Sequence, residues 1–318
     1  MKILVTGGAG FIGSHIAEAL VRRGHRVRVL DDFFSGRRDN LAAFKHDVEV
    51  VRGDCADPAA TRRALKGIEV VFHEAAIPSV ARSVADPLRS HRANGTATLT
   101  MLIAARDAGV RRLVYASSSS VYGETKTLPK RESMDTRPLS PYAAEKLFGE
   151  HALRIFHRLF GMETLSLRYF NIFGPRQDPG SPYSGVVSRF ATALIAGKVP
   201  VIYGDGLQTR DFTYVGNVVD ANLRALTARR LEGEAVNIAT GHRVSLRALL
   251  AAMARAAGRS AEVRYEPGRA GDVRHSLADV SRARKLLGYR PRWDLATGLQ
   301  RTMAWYEESA RPRSARRS

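Results

Sequence analysis

A tyrosine and a lysine four positions apart, Tyr142 and Lys146, are the side chains in this sequence best suited to proton transfer. On a helix, residues i and i+4 lie on one face, so the phenol and the ammonium group would be neighbours. A nearby cation favours the phenolate and moves the tyrosine pKa from about 10 toward neutral pH. The spacing predicts a general base for a sugar or alcohol hydroxyl, although such pairs also occur on the solvent-facing side of amphipathic helices.

Two other segments favour the catalytic interpretation. Residues 117–120 are four consecutive serines, and they follow an apolar segment, residues 112–115, that is predicted to be a strand. Gly7, Gly10 and Gly13 stand between a predicted strand at residues 2–6 and a predicted helix at residues 11–23. Glycines in such a turn let the backbone approach a pyrophosphate, whose charge lies at the positive end of the following helix. A nucleotide site, a polar strand end and a Tyr/Lys pair are the parts of a dehydrogenase-type site.

Asp31 is the candidate for recognising the adenosine ribose of the dinucleotide. It follows the second predicted strand, residues 26–30, close to the position at which an acidic residue meets the ribose hydroxyls of NAD. A carboxylate there would repel the additional phosphate of NADP, whereas the neighbouring Arg37 and Arg38 could accommodate it. We therefore expect NAD, with NADP as the alternative that these arginines leave open.

Polar residues also follow two further buried strands, residues 48–51 and 70–72. Because ligands bind at the carboxyl ends of strands in an open parallel sheet, Asp54 is placed to accept a hydrogen bond from an adenine amino group. His73 and Glu74 could suggest a metal site, but no second histidine or acid stands at ligand spacing. We expect them to line the cofactor groove, and we expect no bound metal.

The order of predicted elements indicates an α/β protein with a Rossmann-type, doubly wound parallel sheet and a second, smaller α/β substrate lobe. We expect residues 1–171 to form the NAD-binding domain, with segments near 211–240 returning to it, and residues 172–310 to form mainly the substrate lobe. A Pro/Gly-rich connection at residues 174–183 marks the change. The basic residues 311–318 are predicted to be disordered.

Composition narrows the functional classes. The 318 residues carry a formal net charge of +19. Apart from the basic tail, the charged residues are spread along the chain and form no blocks. We therefore expect a few arginines to bind a diphosphate group, and we expect no binding of nucleic acid. No apolar run reaches the roughly 18 residues of a membrane span, and no signal-peptide pattern opens the chain, so a cytoplasmic location without membrane association is expected. A single cysteine, Cys55, excludes an internal disulfide and a cysteine-based metal cluster.

Over essentially its whole length the chain resembles the extended short-chain dehydrogenase/reductase family, and within it the UDP-sugar 4-epimerases. The resemblance rests on segments that occur in one order: TGGAGFIG at 6–13 with Asp31, SSSSVYG at 117–123, YAAEK at 142–146, RYFN at 168–171, GDGLQTRD at 204–211 and RAGD at 269–272.

The resemblance implies roles for individual residues. Ser118 would hydrogen-bond the sugar O4, Tyr142 would be the base, and Lys146 would bind the nicotinamide ribose. The cofactor is expected to contact Gly7, Gly10, Phe11, Ile12, Gly13, Asp31, Asp32, Phe33, Ser35, Gly36, Asp54, Cys55, Ala75, Tyr142, Lys146 and Tyr169. The UDP-sugar is expected to contact Ser118, Asn171, Tyr203, Arg210, Arg269, Asp272 and Ser276. A guanidinium group suits this task because its planar fork pairs with two diphosphate oxygens.

The implied reaction is NAD-dependent 4-epimerisation of a UDP-hexose through a transient 4-keto sugar. Dehydratase relatives have acids at the two positions after the catalytic hydroxyl, and UDP-glucuronate decarboxylases have Glu at the second; here both are serines, Ser119 and Ser120. Elimination and decarboxylation therefore lack their acid. The alternatives are a UDP-glucuronate 4-epimerase, a nucleotide-sugar reductase or dehydrogenase with the same three residues, and a non-catalytic NAD-sensing or RNA-binding member of the fold.

Selectivity for the sugar is predicted to depend on Ser276. It stands where related epimerases face the C2 substituent of the sugar and where a tyrosine excludes an N-acetyl group. A serine leaves room, so we expect both UDP-glucose and UDP-N-acetylglucosamine as substrates; the alternative is a loop residue that caps the turn before Leu277. Two residues depart from the family pattern: Arg92 replaces a small polar residue, and Pro78 stands where some epimerases have lysine.

By analogy with the family, a homodimer is expected. Family members pair through two helices of each subunit, which here correspond to about residues 88–107 and 142–160. The apolar face is predicted to consist of Ala104, Ala105, Ala108, Leu153 and Phe156. The alternative is that a helix with apolar residues on two sides is simply buried.

Overall fold

A computed structural model of the chain describes residues 1–178, 185–260, 262–268 and 273–310. The strands are β1 (Lys2–Thr6), β2 (Arg26–Asp31), β3 (Val48–Arg52), β4 (Val70–His73), β5 (Arg112–Ser118), β6 (Glu163–Tyr169), β7 (Ile172–Phe173), β8 (Val201–Tyr203), β9 (Thr209–Arg210), β10 (Thr213–Tyr214), β11 (Glu232–Ile238), β12 (Val244–Ser245) and β13 (Arg264–Glu266). The α-helices are α1 (Phe11–Val21), α2 (Pro58–Leu65), α3 (Val80–Ala85), α4 (Pro87–His91), α5 (Ala97–Asp107), α6 (Pro141–Phe160), α7 (Val186–Ile195), α8 (Val215–Thr227), α9 (Leu246–Ala256), α10 (Ser281–Leu287) and α11 (Leu295–Ala310).

Seven parallel strands form the central sheet in the order β11-β6-β5-β4-β1-β2-β3. Helices cover both faces, so the strands are apolar on both sides; Ile3, Leu4 and Val5 of β1 have no solvent exposure. The order of the strands reverses between β1 and β4, which opens a crevice at their carboxyl ends. The Rossmann-type prediction is confirmed.

The smaller lobe contains short two-stranded sheets. Strand β8 pairs in parallel with β13, and β9 pairs antiparallel with β12. Helices α7, α9 and α11 pack around a separate apolar core that includes Phe190, Leu249 and Met303. Strand β11 pairs with β6 and therefore belongs to the large sheet, although it follows segments of the smaller lobe in the sequence. None of the helices in the described ranges has the length and apolar character of a membrane-spanning helix.

The predicted helix at residues 88–107 is interrupted. Between α4 and α5 the chain forms a π-helical turn, Arg92–Thr96. Within this turn, the Asn94 side chain accepts a hydrogen bond of 2.9 Å from the backbone of Ile77 and donates one of 2.8 Å to Glu145 in α6. A π turn is common where a side chain must be placed for a specific contact, and spacing of apolar residues alone does not reveal it.

Four of the five residues proposed from the sequence as an intersubunit face are wrong, and of the five only Ala108 is exposed. Ala104, Ala105, Leu153 and Phe156 are buried between the helices and the sheet of the same chain. The apolar side chains exposed on the same two helices are others, namely Leu99, Ile103, Phe148, Ile155, Leu159 and Phe160. Both faces of these helices are apolar, and only the sheet decides which one is covered.

Candidate active site

The glycine turn after β1 is too compact for any larger residue. Gly7 has a φ of 62°, in the left-handed region, and its carbonyl accepts a hydrogen bond of 2.9 Å from the backbone of Gly10. A Cβ added to Gly13 would lie 2.3 Å from that carbonyl oxygen, and one added to Gly7 would lie 2.8 Å from the backbone of Ala75. The three glycines bring the start of α1 against the ends of β1 and β4.

This turn fits a dinucleotide pyrophosphate. The residue that caps α1 is Gly10, which has no side chain to accept from the first backbone N–H groups, and the first turn of the helix contains no acidic residue. Phe11 and Ile12 are the first residues of that turn. The N–H groups and the positive end of the helix are therefore available to an anionic group.

Asp31 joins the glycine turn to the segment that follows β2. One carboxylate oxygen accepts from the backbone N–H of Ala9 (2.9 Å) and the other from that of Phe33 (2.8 Å). A Cβ at Gly36 would lie 2.6 Å from this carboxylate, so glycine is required there. Burial raises the pKa of Asp31, while the two backbone hydrogen bonds oppose the shift. Each oxygen keeps a lone pair, so the group can also accept from ribose hydroxyls.

Arg37 and Arg38, which could have accommodated the additional phosphate of NADP, contact other residues of the chain. Arg37 pairs with Asp178 at 2.7 Å, and Arg38 lies over the ring of Phe33 at 4.9 Å. Phe33 has a φ of 62°, a conformation fixed by its hydrogen bond to Asp31. Asp31 is the carboxylate beside the ribose position, and its negative charge favours NAD over NADP.

A cavity of about 220 Å³ extends from the glycine turn along the ends of β2 and β3. Several predicted cofactor residues line it, namely Gly7, Asp31, Asp32, Ser35, Asp54, Cys55 and Ala75. The buried thiol of Cys55 has a raised pKa, caused mainly by burial, so it acts as a small apolar side chain there. Phe34 and Arg89, which sequence patterns missed, also line the cavity, as does Arg92, which the sequence marked only as a departure from the family pattern.

His73 is a buried structural residue. Its ring nitrogens lie 2.8 Å from the hydroxyl of Thr6 and 3.2 Å from that of Thr98. Burial, followed by the charge of Lys146, lowers the pKa of His73 to about 3, so the ring is neutral. Within the described ranges, no group of three or more His, Cys, Asp or Glu side chains could hold a metal ion.

Glu74 lies beside Tyr169 and close to Lys146. Its Oε1 accepts a hydrogen bond of 3.0 Å from the hydroxyl of Tyr169, which in turn accepts one of 2.9 Å from Asn222. Burial raises the pKa of Glu74 to about 7, although Tyr169 and the charge of Lys146 oppose the shift. Glu74 is therefore a titratable group near neutral pH in the cofactor groove.

Ser118, Tyr142 and Lys146 meet at the carboxyl edge of the sheet. Ser118 ends β5, and its Oγ accepts hydrogen bonds from the backbone (3.1 Å) and the hydroxyl (2.9 Å) of Ser120. Helix α6 begins beside it, where Ser140 caps the first turn by accepting from the backbone of Ala143. The Lys146 ammonium group donates a hydrogen bond of 2.7 Å to the carbonyl of Ala116 in β5.

The expectation that the pKa of Tyr142 lies below its ordinary value is wrong for the protein alone. Burial raises the pKa of Tyr142 to about 12, and a hydrogen bond with Ser118 only partly opposes this. The Lys146 ammonium lies 5.9 Å from the Tyr142 ring centroid, and burial lowers the pKa of Lys146 to about 8. The phenol therefore stays protonated at neutral pH until another positive charge is bound nearby.

Two buried carboxylates that the sequence analysis did not single out hold α6 in place. Glu145 accepts from the Ser90 hydroxyl at 2.9 Å and from Asn94. Glu150 forms a bidentate ion pair with Arg168 in β6, at 2.9 and 2.7 Å. A sequence signal for Glu150 does exist, because it falls at helical spacing with the buried residues 143, 146 and 153.

The residues expected to bind the UDP-sugar cluster only in part. Asn171, with a φ of 42°, donates a hydrogen bond of 3.0 Å to the carbonyl of Asp211, next to Arg210. Ser276 is buried, and its backbone N–H bonds the carbonyl of Thr209, on the other side of Arg210. Tyr203 lies on β8 in contact with Arg189, whose guanidinium is 5.6 Å from its ring. Arg269 and Asp272 lie outside the described residues.

Two further residues shape this region without having been predicted. Asp211 is fully buried and accepts hydrogen bonds from Thr240, Gly241 and Ala278, so it fixes the segment that carries Arg210. Lys130 is also buried and donates one bond of 3.0 Å to the carbonyl of Gly123, at the end of the serine segment. Burial and the charge of Arg210 lower the pKa of Lys130 to about 8.

Comparison with protein families gives a match from residue 3 to residue 239, which spans the glycine turn, Ser118, Tyr142 and Lys146. The matching model describes the NAD dependent epimerase/dehydratase family. The chain belongs to this family. Family membership agrees with the order of the motifs and with the fit of the groove to a dinucleotide.

Relatives within the family cover nearly the whole chain. A UDP-glucose 4-epimerase of Mycolicibacterium smegmatis is 41% identical over 314 residues, which are 98% of this chain and 100% of the relative. The solved UDP-glucose 4-epimerase of Thermotoga maritima, with UDP-glucose, is 36% identical with a TM-score of 0.93, over 98% of this chain and 100% of that one. The UDP-N-acetylglucosamine 4-epimerase of Methanobrevibacter ruminantium is 38% identical with a TM-score of 0.92, over 96% and 97% of the two chains.

Proposed function

We propose that this protein is an NAD-dependent epimerase that interconverts UDP-glucose and UDP-galactose, and also UDP-N-acetylglucosamine and UDP-N-acetylgalactosamine. The observation that carries the proposal is the meeting of Tyr142 and Ser118 at the same carboxyl edge of the sheet as the glycine turn, with Lys146 one helical turn further along. A phenol, a hydroxyl and an ammonium group at a dinucleotide groove suit reversible oxidation of a secondary alcohol. The named activities of the relatives support the same reaction class.

Each of the three residues has one task. When bound, NAD supplies the acceptor and donor of hydride for C4 of the sugar. Tyr142, as phenolate, takes the O4 proton and later returns it to the same oxygen. Ser118 holds O4 in place by a hydrogen bond. Lys146 adds positive charge beside the phenolate, and its fixed bond to Ala116 keeps that charge in position.

The serines after Ser118 favour epimerisation over other outcomes from the same keto sugar. Dehydration needs an acid to protonate the leaving hydroxyl, and the hydroxyl groups of Ser119 and Ser120 cannot do so at neutral pH. The Ser120 hydroxyl donates to Ser118 instead, which orients the catalytic hydroxyl. The keto sugar should therefore be reduced again, on one face or the other.

The small side chain of Ser276 supports acceptance of an N-acetyl group. The residue is 6% exposed and is held by its backbone bond to Thr209, which leads into Arg210. We propose that its Cβ and hydroxyl leave space beside C2 of the sugar and that Arg210 binds the diphosphate. A larger side chain at this position would overpack the pocket wall.

One incubation separates the candidate classes. Purified protein is mixed with UDP-glucose without added cofactor, and products are separated by anion-exchange chromatography while the absorbance of NADH is followed. Formation of UDP-galactose without net absorbance change supports the epimerase. Accumulation of NADH would instead mean a dehydrogenase, and absence of any product from UDP-glucose, UDP-N-acetylglucosamine and UDP-glucuronate alike would mean a non-catalytic binder.

UDP-glucuronate is the second candidate substrate. Lys130 favours this substrate. Its buried ammonium group bonds the carbonyl of Gly123, three residues after Ser120, and would suit the carboxylate on C5 of the sugar. Parallel assays with UDP-glucose, UDP-N-acetylglucosamine and UDP-glucuronate, each at several concentrations, decide between the candidates. The substrate with the highest kcat/KM identifies the sugar.

We also propose that the protein is a homodimer. The exposed apolar residues of α5 and α6 lie on neighbouring helices of one face, and Ile155 and Leu159 are 51% and 70% exposed. A second copy of the same helices could cover them by forming a four-helix contact across a twofold axis.

A further inference from the structure

Two arginines reach across the adenosine end of the cofactor groove. Arg92 donates a hydrogen bond of 2.9 Å to Asp54, and the guanidinium of Arg89 lies 4.3 Å from the ring centroid of Phe34. The arginines are three residues apart on a helical segment, so both side chains leave it on the same face. Phe34 follows β2 and Asp54 follows β3, while all four residues line the same cavity. The two contacts therefore span the cavity from one wall to the other.

The helical wall of the cavity is held firmly. Ser90, between the two arginines, donates to Glu145 in α6, and Asn94 donates to the same carboxylate. The backbone of Ile77, also in the cavity wall, bonds the Asn94 side chain. Arg89 and Arg92 thus project from a fixed base that is connected to the helix bearing Tyr142.

The contacts themselves are exposed and easily broken. The side chains of Arg92 and Asp54 are 62% and 38% exposed, and Phe34 is 44% exposed. Exposed ion pairs and cation–π contacts are individually weak, so they contribute little to folding. A pair of weak contacts across an opening can nevertheless slow the departure of a ligand beneath it, since both must be open at once.

We propose that Arg89 and Arg92 form a two-point closure that retains the bound dinucleotide at its adenosine end. The closure suits an enzyme whose cofactor is regenerated within each catalytic cycle and need not leave. The inference rests on NAD as the cofactor of the proposed function, and it does not depend on which sugar is epimerised.

The release rate of NAD tests the closure directly. Holoenzyme loaded with radiolabelled NAD is mixed with excess unlabelled NAD, and the label that remains on the protein is counted after rapid gel filtration. Release from the double variant Arg89→Ala/Arg92→Ala should be about 10-fold faster than from the wild type, with each single variant in between. Raising NaCl from about 0.05 to 0.5 M should speed release from the wild type, because salt screens the ion pair, and should have less effect on the double variant.

Arg264→Ala is the matched control. Arg264 pairs with Glu266 at 3.0 Å, and the two side chains are 67% and 35% exposed, close to the values of the Arg92 pair, but the pair lies in the smaller lobe. This variant should release NAD at the wild-type rate. Arg92→Gln, which keeps side-chain length without charge, provides a second test. Release from the double variant within twofold of the wild type, or an equal acceleration by Arg264→Ala, overturns the closure. Failure of the epimerase assay would leave these release rates unaffected, so the two proposals fail separately.

Discussion

The hydroxyl group of Tyr169 donates a hydrogen bond of 3.0 Å to Glu74, across a sequence separation of 95 residues. The contact places a carboxyl group with a pKa raised to about 7, mainly by burial, in the cofactor groove near Lys146. At pH 8 this group is ionised in a site that disfavours its charge. Ionisation of Glu74 therefore lowers the free energy of unfolding at high pH.

Glu74→Gln should stabilise the protein at high pH. The folded-state pKa is raised above the ordinary 4.5, so the native state binds more protons than the unfolded state between pH 4.5 and about 7. Stability of the wild type is therefore lost as pH rises through this window, and glutamine removes that loss while still accepting from Tyr169. Thermal unfolding from pH 4.5 to 8 should show the variant gaining about 1 to 3 kcal/mol over the wild type. The exposed Glu124→Gln should show no such trend, and a constant difference across pH for Glu74→Gln would refute the prediction.

Tyr142→Phe should lower turnover by about 10²- to 10⁴-fold, since it removes the general base. Binding of NAD should persist, because the phenylalanine ring fills the same space. Turnover is measured by UDP-galactose formation, and NAD content by extraction and chromatography. Tyr115→Phe serves as a control. The Tyr115 ring is buried, with its centroid 4.7 Å from the Lys146 ammonium, and has no part in the proposed proton transfer, so turnover should stay close to that of the wild type. Near-wild-type turnover in Tyr142→Phe would remove this residue from the mechanism.

Ser276→Tyr should selectively lower activity on UDP-N-acetylglucosamine. Overpacking a buried wall typically costs about 1 to 3 kcal/mol, which is roughly 5- to 150-fold in kcat/KM for the larger sugar. Activity on UDP-glucose should change much less, and Ser276→Ala should retain both activities. Equal loss of the two activities in Ser276→Tyr, or a wild type inactive on the N-acetyl sugar, would contradict the assignment.

Glu150→Gln should destabilise the fold strongly. The change leaves the Arg168 charge, in a side chain only 5% exposed, without its carboxylate partner. Removing one member of a buried ion pair typically costs about 3 to 5 kcal/mol, which urea denaturation would report. The exposed pair of Arg264 and Glu266 provides the comparison, since Arg264→Ala should cost less than about 1 kcal/mol. A similar loss in the free energy of unfolding for Glu150→Gln and Arg264→Ala would contradict the prediction that the buried pair contributes more to stability than the exposed one.

Ile155→Glu combined with Leu159→Glu should convert the proposed dimer to a monomer. Charged groups on the shared apolar face would have to be desolvated in the interface. Light scattering at micromolar concentration should give twice the 34.9 kDa chain mass for the wild type and the single-chain mass for the variant. Leu207→Glu, at a position 51% exposed in the smaller lobe, should stay dimeric. A monomeric wild type would refute the dimer itself.

Several features of the site follow from local sequence. The glycine turn, Asp31 and the polar ends of the strands are positioned by short segments whose apolar pattern defines a buried parallel sheet. The i, i+4 spacing of Tyr142 and Lys146 needs only one helix, begun by Ser140 and ended by Gly161. Because ligands bind at the carboxyl edge of such a sheet, these local patterns were enough to predict the fold class and to bring Ser118, Tyr142 and Lys146 to that edge; their catalytic role stays a prediction.

The tertiary structure decided what depends on distance and solvation. The raised pKa of Tyr142 arises from burial by segments that its own helix does not contain, and no spacing of residues reports that burial. The link between Glu74 and Tyr169 and the pair of Arg92 and Asp54 join residues from different strands and helices. Which apolar face of α5 and α6 meets the sheet was likewise undetermined, since both faces are apolar in sequence. The periodicity of a helix or strand determines which side chains share a face of that element. Contacts between elements, and the removal of water around a charged group, are determined only when the whole chain is packed.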